Sequence, residues 1–220
     1  MKTTNLYWDM EFTGLHQKTT LISLGIVSDC GKSFYAEFLD FDKSQIDMWL
    51  QLNVIDNLRL TDKIGKSNSS WENWISNKKN YNNALEMALD KNADMSNFEC
   101  IGLTPMIKDR LEKWLAQFER IEMISDVLAY DWVLFCNIFG SAFEIPKNIY
   151  YIPFDLASLF KENGIDPDVN REEYIGAEIL NNICSILETT VEYGKHNALW
   201  DAYVIRECYK KLKLQKTKKH

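Results

Sequence analysis

From residue 6 to residue 12, apolar and polar positions alternate strictly. Leu6, Trp8, Met10 and Phe12 share one face and Tyr7, Asp9 and Glu11 the other, which is the period-two pattern of a β-strand. Thr13-Gly14 ends the run. Residues 20–28 are apolar on both faces and predict a second, fully buried strand; Asp29-Cys30-Gly31-Lys32 then supplies turn chemistry before a third strand at residues 33–39. Together they predict an antiparallel meander. A short helix is predicted near residues 44–53. From about residue 61 to residue 97 the chain is polar, Asn-rich and Lys-bearing, with helical character only at residues 84–89, so this stretch is predicted to be an insertion.

Helical periodicity returns at residues 105–119, where Ile107, Leu111, Trp114, Leu115 and Phe118 line one side. A buried strand at 121–125, a helix at 132–139, a short strand at 149–152 and a helix at 155–163 follow. After a loop at 164–170, two final helices are predicted at 172–188 and 198–214. Three antiparallel strands followed by alternating helices and strands predict an α/β fold in which helices flank a mixed sheet, and no internal repeat interrupts it. The length of 220 residues suits one such domain with an insertion.

Composition narrows the class. With 46% hydrophobic residues, 13% aromatics, 9 Gly and 4 Pro, the chain is neither disordered nor collagen-like. The longest run without a charged residue, 132–143, is far short of the ~20 apolar residues that span a bilayer. Asp9 and Glu11 also interrupt any amino-terminal signal core. A soluble, cytoplasmic protein with no membrane partner is therefore expected. Five widely spaced cysteines (Cys30, Cys100, Cys136, Cys184 and Cys208) form no CxxC or Cys/His cluster and are expected to be reduced packing residues. The net charge of −7 means that any polyanion must be met by a local patch or a bound metal. Lys210, Lys211, Lys213, Lys216, Lys218 and Lys219 form one basic stretch, read as a solubilising tail or, alternatively, as such a patch.

Three segments carry candidate chemistry. Asp9 and Glu11 stand at i and i+2 of an otherwise apolar strand, ~6–7 Å apart on one face. With little water they would repel and raise each other's pKa, a conflict that a divalent cation resolves; exposure on an edge strand is the plain alternative. In the segment from His196 to Ala202, Asn197 is a helix N-cap and Ala198, Ala202, Ile205, Tyr209 and Leu212 form the buried stripe. Asp201 falls at the edge of that stripe, where an acid is costly unless paired or metal-bound. His196 precedes the cap and can reach the same space, or simply pack. Asp131 sits in the aromatic run from Tyr130 to Phe135, as a site acid or as an N-cap. Within the insertion, Trp71, Trp74 and Tyr81 interleave with Lys78 and Lys79, which suits single-stranded nucleic acid, or docking of the insertion onto the domain.

In this order the segments Asp9-Met10-Glu11-Phe12-Thr13-Gly14-Leu15, Ala129-Tyr130-Asp131-Trp132-Val133-Leu134-Phe135 and His196-Asn197-Ala198-Leu199-Trp200-Asp201-Ala202 resemble the three motifs of DEDDh 3′-5′ exonucleases. These belong to the ribonuclease H-like superfamily, with ribonuclease T, oligoribonuclease and polymerase proofreading domains. The short helix after Phe38-Leu39-Asp40-Phe41-Asp42, with the segment from Phe154 to Phe160, looks most like the small stand-alone bacterial and phage exoribonucleases. The resemblance covers most of the chain outside residues 61–97. It implies a ribonuclease H-like mixed sheet, Asp9, Glu11, Asp131 and Asp201 as metal-binding carboxylates, and His196 as general base. Asn197 stands where the tyrosine subclass would place its Tyr, so the histidine subclass is implied. Where the family often has an Asn four residues ahead of its middle Asp, this chain has Val127, with Asp126 one position earlier as a supporting carboxylate or the start of a loop.

The chemistry implied is phosphodiester hydrolysis with two Mg²⁺ or Mn²⁺ ions, ~3.5–4 Å apart, held by hard carboxylate ligands. An imidazole with a pKa near ~6.5 takes the water's proton at neutral pH. By the same resemblance, Met10, Phe12, Thr13 and Leu15 would hold the terminal nucleotide, Met10 and Phe12 having core packing as an alternative. The expected partner is single-stranded nucleic acid with a free 3′ end, RNA favoured, the products being nucleoside 5′-monophosphates. A DNA exonuclease on the same site and a catalytically silent nucleic-acid-binding module remain open. A calcium-binding structural protein is disfavoured, because no calcium-loop spacing with a turn Gly occurs. Ribose preference depends on 2′-OH contacts that a sequence does not display, and the oligomeric state, homodimer included, is not legible.

Overall fold

The central strand β1 (Thr3–Phe12) explains most of the architecture seen in the computed structural model, which describes residues 2–60 and 95–217. β1 pairs antiparallel with β2 (Leu21–Ser28), which pairs antiparallel with β3 (Ser33–Phe38), so the meander is as the alternation and turn residues predict. On its other side β1 runs parallel to β5 (Arg120–Ser125), but the pairing covers only Thr3 to Tyr7. The carboxyl-terminal half of β1, with Asp9 and Glu11, therefore extends past its parallel neighbour. β4 (Asn97–Gly102) adds parallel to β3, and β6 (Phe154–Asp155) adds parallel to β5, giving six strands in the order β4-β3-β2-β1-β5-β6. This is an α/β protein with a mixed sheet flanked by helices.

The period-two pattern of β1 sorts the core. Leu6, Trp8 and Met10 pack with Ile107, Leu111 and Trp114 of α2 (Thr104–Leu115) and Leu134 and Phe135 of α3 (Ala129–Phe139). Tyr7 faces the opposite layer, made by α4 (Leu156–Glu162), α5 (Arg171–Ile175), α6 (Ala177–Leu187) and α8 (Ala198–Thr217), with the short α7 (Val191–Gly194) between the last two. Asp9 and Glu11 share the Tyr7 face by alternation, so they look toward α8. A smaller cluster joins Ile22 to Leu50 of α1 (Met48–Asn53).

Gly25 sets how closely α8 approaches. It lies opposite Asp9 in the β1–β2 register, and a Cβ there would fall 2.2 Å from the Ala198 carbonyl oxygen and 2.3 Å from the Leu199 nitrogen. The backbone of α8's first turn thus rests on the backbone of β2, a contact only a glycine permits.

Several expectations need correction. β4 was not expected, because its alternating burial involves few apolar residues beside a polar stretch. The strand expected at 149–152 is a single bridge between Ile121 and Ile149, and pairing resumes only at β6. The helix expected at 172–188 is two helices, since Gly176 (φ +93°) breaks it. Cys100, Cys136 and Cys208 are buried as expected of packing thiols, but Cys30 is exposed. The basic stretch is not a frayed tail over its first half: α8 runs to Thr217, with Lys210 paired to Glu207 and Lys211 over the Tyr174 ring. The helix expected at 84–89 and the interleaved Trp71, Trp74, Lys78, Lys79 and Tyr81 lie outside the described residues, as do Lys218 and Lys219. Among the described residues no helix is long and apolar enough to cross a membrane.

Candidate metal centre

Asp201 occupies the first turn of α8, and its placement follows from the cap before it. The Asn197 side chain accepts from the backbone nitrogens of Leu199 (3.2 Å) and Trp200 (3.4 Å), while its amide donates to the Asn57 carbonyl (3.1 Å) and to the Tyr35 hydroxyl (3.3 Å). The cap is thereby anchored to β3 and to the segment after α1. With the backbone of α8 seated on Gly25, Asp201 reaches the overhanging end of β1. One carboxylate oxygen from each of Asp9, Glu11 and Asp201 then lies within 4.8 Å of the others.

This convergence is electrostatically unfavourable in the bare protein. The Asp9 and Glu11 carboxyls are held well above the usual carboxylate range, first by burial and then by the charges of Asp201 and Asp131. Asp201 is pushed up to about 8, again by burial first and by Glu172 next, with Lys195 and a backbone hydrogen bond from His196 opposing. Among the described residues no cationic side chain forms an ion pair with any of the three. Three hard oxygen donors that repel one another and lack a counter-charge fit a divalent cation such as Mg²⁺ or Mn²⁺.

Asp131 borders the same groove but stands outside the tight group of three. It is buried in the first turn of α3, and it is not the N-cap: that position is Leu128, which makes no side-chain cap bond. Burial raises Asp131 to about 6, with backbone hydrogen bonds from its own residue and from Met10 opposing. Asp126 also borders the groove. Arg171 grips it through Nε (2.7 Å) and Nη2 (2.9 Å), and the same guanidinium donates to the Pro167 carbonyl (2.8 Å) and lies over the Phe160 ring.

His196 lies at the rim of the groove with a positive φ of +58°, one of two such non-glycine residues there, the other being Val127 (φ +49°). Its ring meets Trp49 edge-on at 5.0 Å, and its pKa is lowered from the ordinary value by burial and by the neighbouring Lys195 charge. Lys195 pairs with Glu172 at 3.2 Å, and Glu172 also accepts from the Trp200 indole (3.2 Å).

The groove has a volume of about 530 Å³. Met10, Phe12 and Leu15 line it, Met10 being almost wholly buried and Leu15 74% exposed. Thr13 does not line it: its hydroxyl is engaged with Gln45 and Thr20 in the turn after β1. Sequence reasoning passed over Arg171, Glu172, Lys195 and Trp49. For Trp49 there was a signal, since the run Met48-Trp49-Leu50 puts more apolar residues on a short helix than one buried face can use. In comparisons with known proteins, no family model and no curated protein matches the chain.

Proposed function

We propose that the protein is a metal-dependent 3′-5′ exonuclease with a ribonuclease H-like fold, removing nucleoside 5′-monophosphates from the 3′ end of single-stranded RNA. The observation that carries this reading is the meeting of Asp9, Glu11 and Asp201 within 4.8 Å, drawn from opposite ends of the chain, in one groove with Asp131 and His196. The six-stranded sheet, with antiparallel strands first and parallel strands added on both sides, is compatible with that fold.

Asp9, Glu11 and Asp201 would hold the ions, with Asp131 completing the acidic wall. Divalent cations there would offset charge on the phosphate undergoing attack and activate the attacking water. The imidazole of His196 is the proton acceptor in this scheme. Its lowered pKa keeps it unprotonated at neutral pH, as a general base requires. Leu15, exposed at the rim, would press against the terminal base, and Lys195, paired with Glu172, would offer a positive charge to a phosphate in a groove that also holds Arg171.

The test is incubation of the purified protein with matched 3′-labelled and 5′-labelled RNA and DNA oligomers in Mg²⁺, Mn²⁺ or EDTA. Stepwise shortening from the 3′ end, faster on RNA and stopped by EDTA, is expected. Equal or faster shortening of DNA would move the reading to the DNA exonuclease. Binding without hydrolysis in either metal would leave only a nucleic-acid-binding module.

A further inference from the structure

The face of the sheet that looks toward α8 carries a short polar row. The registers Glu11↔Ser23 and Ser23↔Glu37 set Glu11 of β1, Ser23 of β2 and Glu37 of β3 side by side. Alternation points all three the same way as Tyr7, Val27 and Tyr35, which pack in the α8 layer. Ser23 is wholly buried at the middle of the row, yet its hydroxyl has no hydrogen-bond partner. We infer that Ser23 is a positioning residue of the metal centre, its hydroxyl donating to the Glu11 carboxylate when a cation holds that group ionised; the inference rests on the metal site proposed above and not on the reaction.

The hydroxyl is costly where it stands. Burying it unpaired costs about 1–3 kcal/mol, and an alanine or valine would occupy the inner face of a strand without that penalty. A wholly buried orphan of this kind calls for a partner. Directly opposed residues of antiparallel strands have Cβ atoms ~4.5–5.5 Å apart, so a serine hydroxyl and a glutamate carboxylate in that relation can meet by side-chain rotation alone.

The two glutamates beside Ser23 differ in what they lack. Glu37 is already engaged, its Oε1 accepting from the Tyr35 hydroxyl (2.9 Å) and from the Leu60 nitrogen (2.7 Å). Among the described residues nothing donates to the Glu11 carboxyl, whose charged neighbours are Asp201 and Asp131. A carboxylate that binds a cation through one oxygen still has lone pairs to fill, and ligating carboxylates are as a rule hydrogen-bonded. An acceptor without a donor thus stands opposite a donor without an acceptor.

The remaining carboxylates of the group make no claim on this hydroxyl. Asp201 receives a backbone hydrogen bond from His196, and Asp9 lies opposite Gly25, which has no side chain to offer. Glu11 is therefore the ligand whose orientation falls to a side chain of β2.

Calorimetric titration of the full chain with Mg²⁺, beside the Tm of the same samples in EDTA, tests the inference. Ser23→Ala is expected to raise the Mg²⁺ Kd about tenfold, the lower end of the ~10–100-fold range for losing a hydrogen-bond partner of a metal ligand. Its metal-free Tm should equal or exceed that of the wild type, because the hydroxyl removed was unpaired. Ser23→Cys, close in size but a weak donor, should give an intermediate Kd, and it carries the same comparison should Ser23→Ala fail to fold. Ser125→Ala is the control: Ser125 is as buried and as unpartnered, but alternation from Ile124 turns it to the opposite layer, so its Kd should match the wild type. An unchanged Kd in Ser23→Ala, or a shift that Ser125→Ala reproduces, would overturn the inference. A lowered metal-free Tm with an unchanged Kd would assign the hydroxyl to Glu37 and overturn it too. If the wild type binds neither Mg²⁺ nor Mn²⁺, the metal site and this inference fall together. If it binds them but shortens no oligomer, the exonuclease reading fails alone, and the Kd comparison still decides Ser23.

Discussion

Asp126 and Asp201 border one groove, yet they stand in opposite electrostatic situations. Asp126 meets the Arg171 guanidinium, with both carboxylate oxygens taken at 2.7 and 2.9 Å. Asp201 meets two more carboxylates and, among the described residues, no ion-pair partner. Folding alone satisfies the first acid, because its counter-charge is part of the chain. It leaves the second dependent on something from solvent. The difference separates an acid whose charge is matched within the fold from acids whose charges are left uncompensated among the described residues.

The sharpest way to break this contrast is to neutralise each acid in turn. Asp201→Asn should abolish measurable exonuclease turnover and Mg²⁺ binding by calorimetry, and should raise the Tm of the metal-free protein, since it removes an acid whose ionisation burial and neighbouring carboxyls disfavour in the folded state. Asp126→Asn should lower that Tm instead. The contrast fails if both substitutions shift Tm in the same direction. Next in size is His196→Ala, expected to lower kcat by ~10²–10⁴, the range for a positioned acid-base group, with divalent-ion affinity within a few-fold of wild type. A kcat near the wild-type value would make the residue structural.

Arg171→Ala should destabilise by about 3 kcal/mol, the lower end of the ~3–5 kcal/mol for breaking a buried pair, because the pair is partly open to solvent. Chemical denaturation of Arg171→Ala and of the double variant with Asp126→Asn measures it; the double variant should recover part of the loss. A separate check is the pH dependence of the metal-free protein. In the folded chain Asp131 keeps its proton to about pH 6 and Asp201 to about pH 8, whereas in the unfolded chain both titrate near ~4. The folded state holds more protons over that interval, so the contribution of these two groups is fully present below pH ~4 and is lost as pH rises toward 8. Tm should fall across this window, and Mg²⁺ should flatten the slope by supplying the missing charge. A metal-free Tm that rises from pH 5 to 8 would contradict the assignment.

What the sequence displayed and what it hid divide along the same line. The meander and the facing of Asp9 and Glu11 were legible because strand alternation is local, and the Asn197 cap because its bonds reach only two and three residues on. Arg171 pairs with an acid 45 residues away, with nothing in its neighbourhood to announce it. β4 was hidden because an edge strand needs few apolar residues, and Gly176 because a break inside an amphipathic pattern leaves the pattern intact. The engagement of the Thr13 hydroxyl with Thr20 was equally hidden, because it depends on how the turn after β1 closes.

Gly25 behaves as a spacer whose value lies in the atoms it lacks. The Cβ of an alanine there would stand 2.2 Å from a backbone oxygen, against about 3.4 Å for ordinary contact, so the start of α8 must lift by about 1 Å. That displacement is small beside the thickness of the protein but large beside the tolerance of an ion-binding geometry, where distances are held to within about 0.2 Å. On the exonuclease reading, a mutational scan scored on turnover would therefore rank position 25 among the proposed ligands, although it bears no group that could touch ion, water or nucleotide. A scan scored on folding would rank it lower, since the two hydrophobic layers on either side of the sheet would survive the shift.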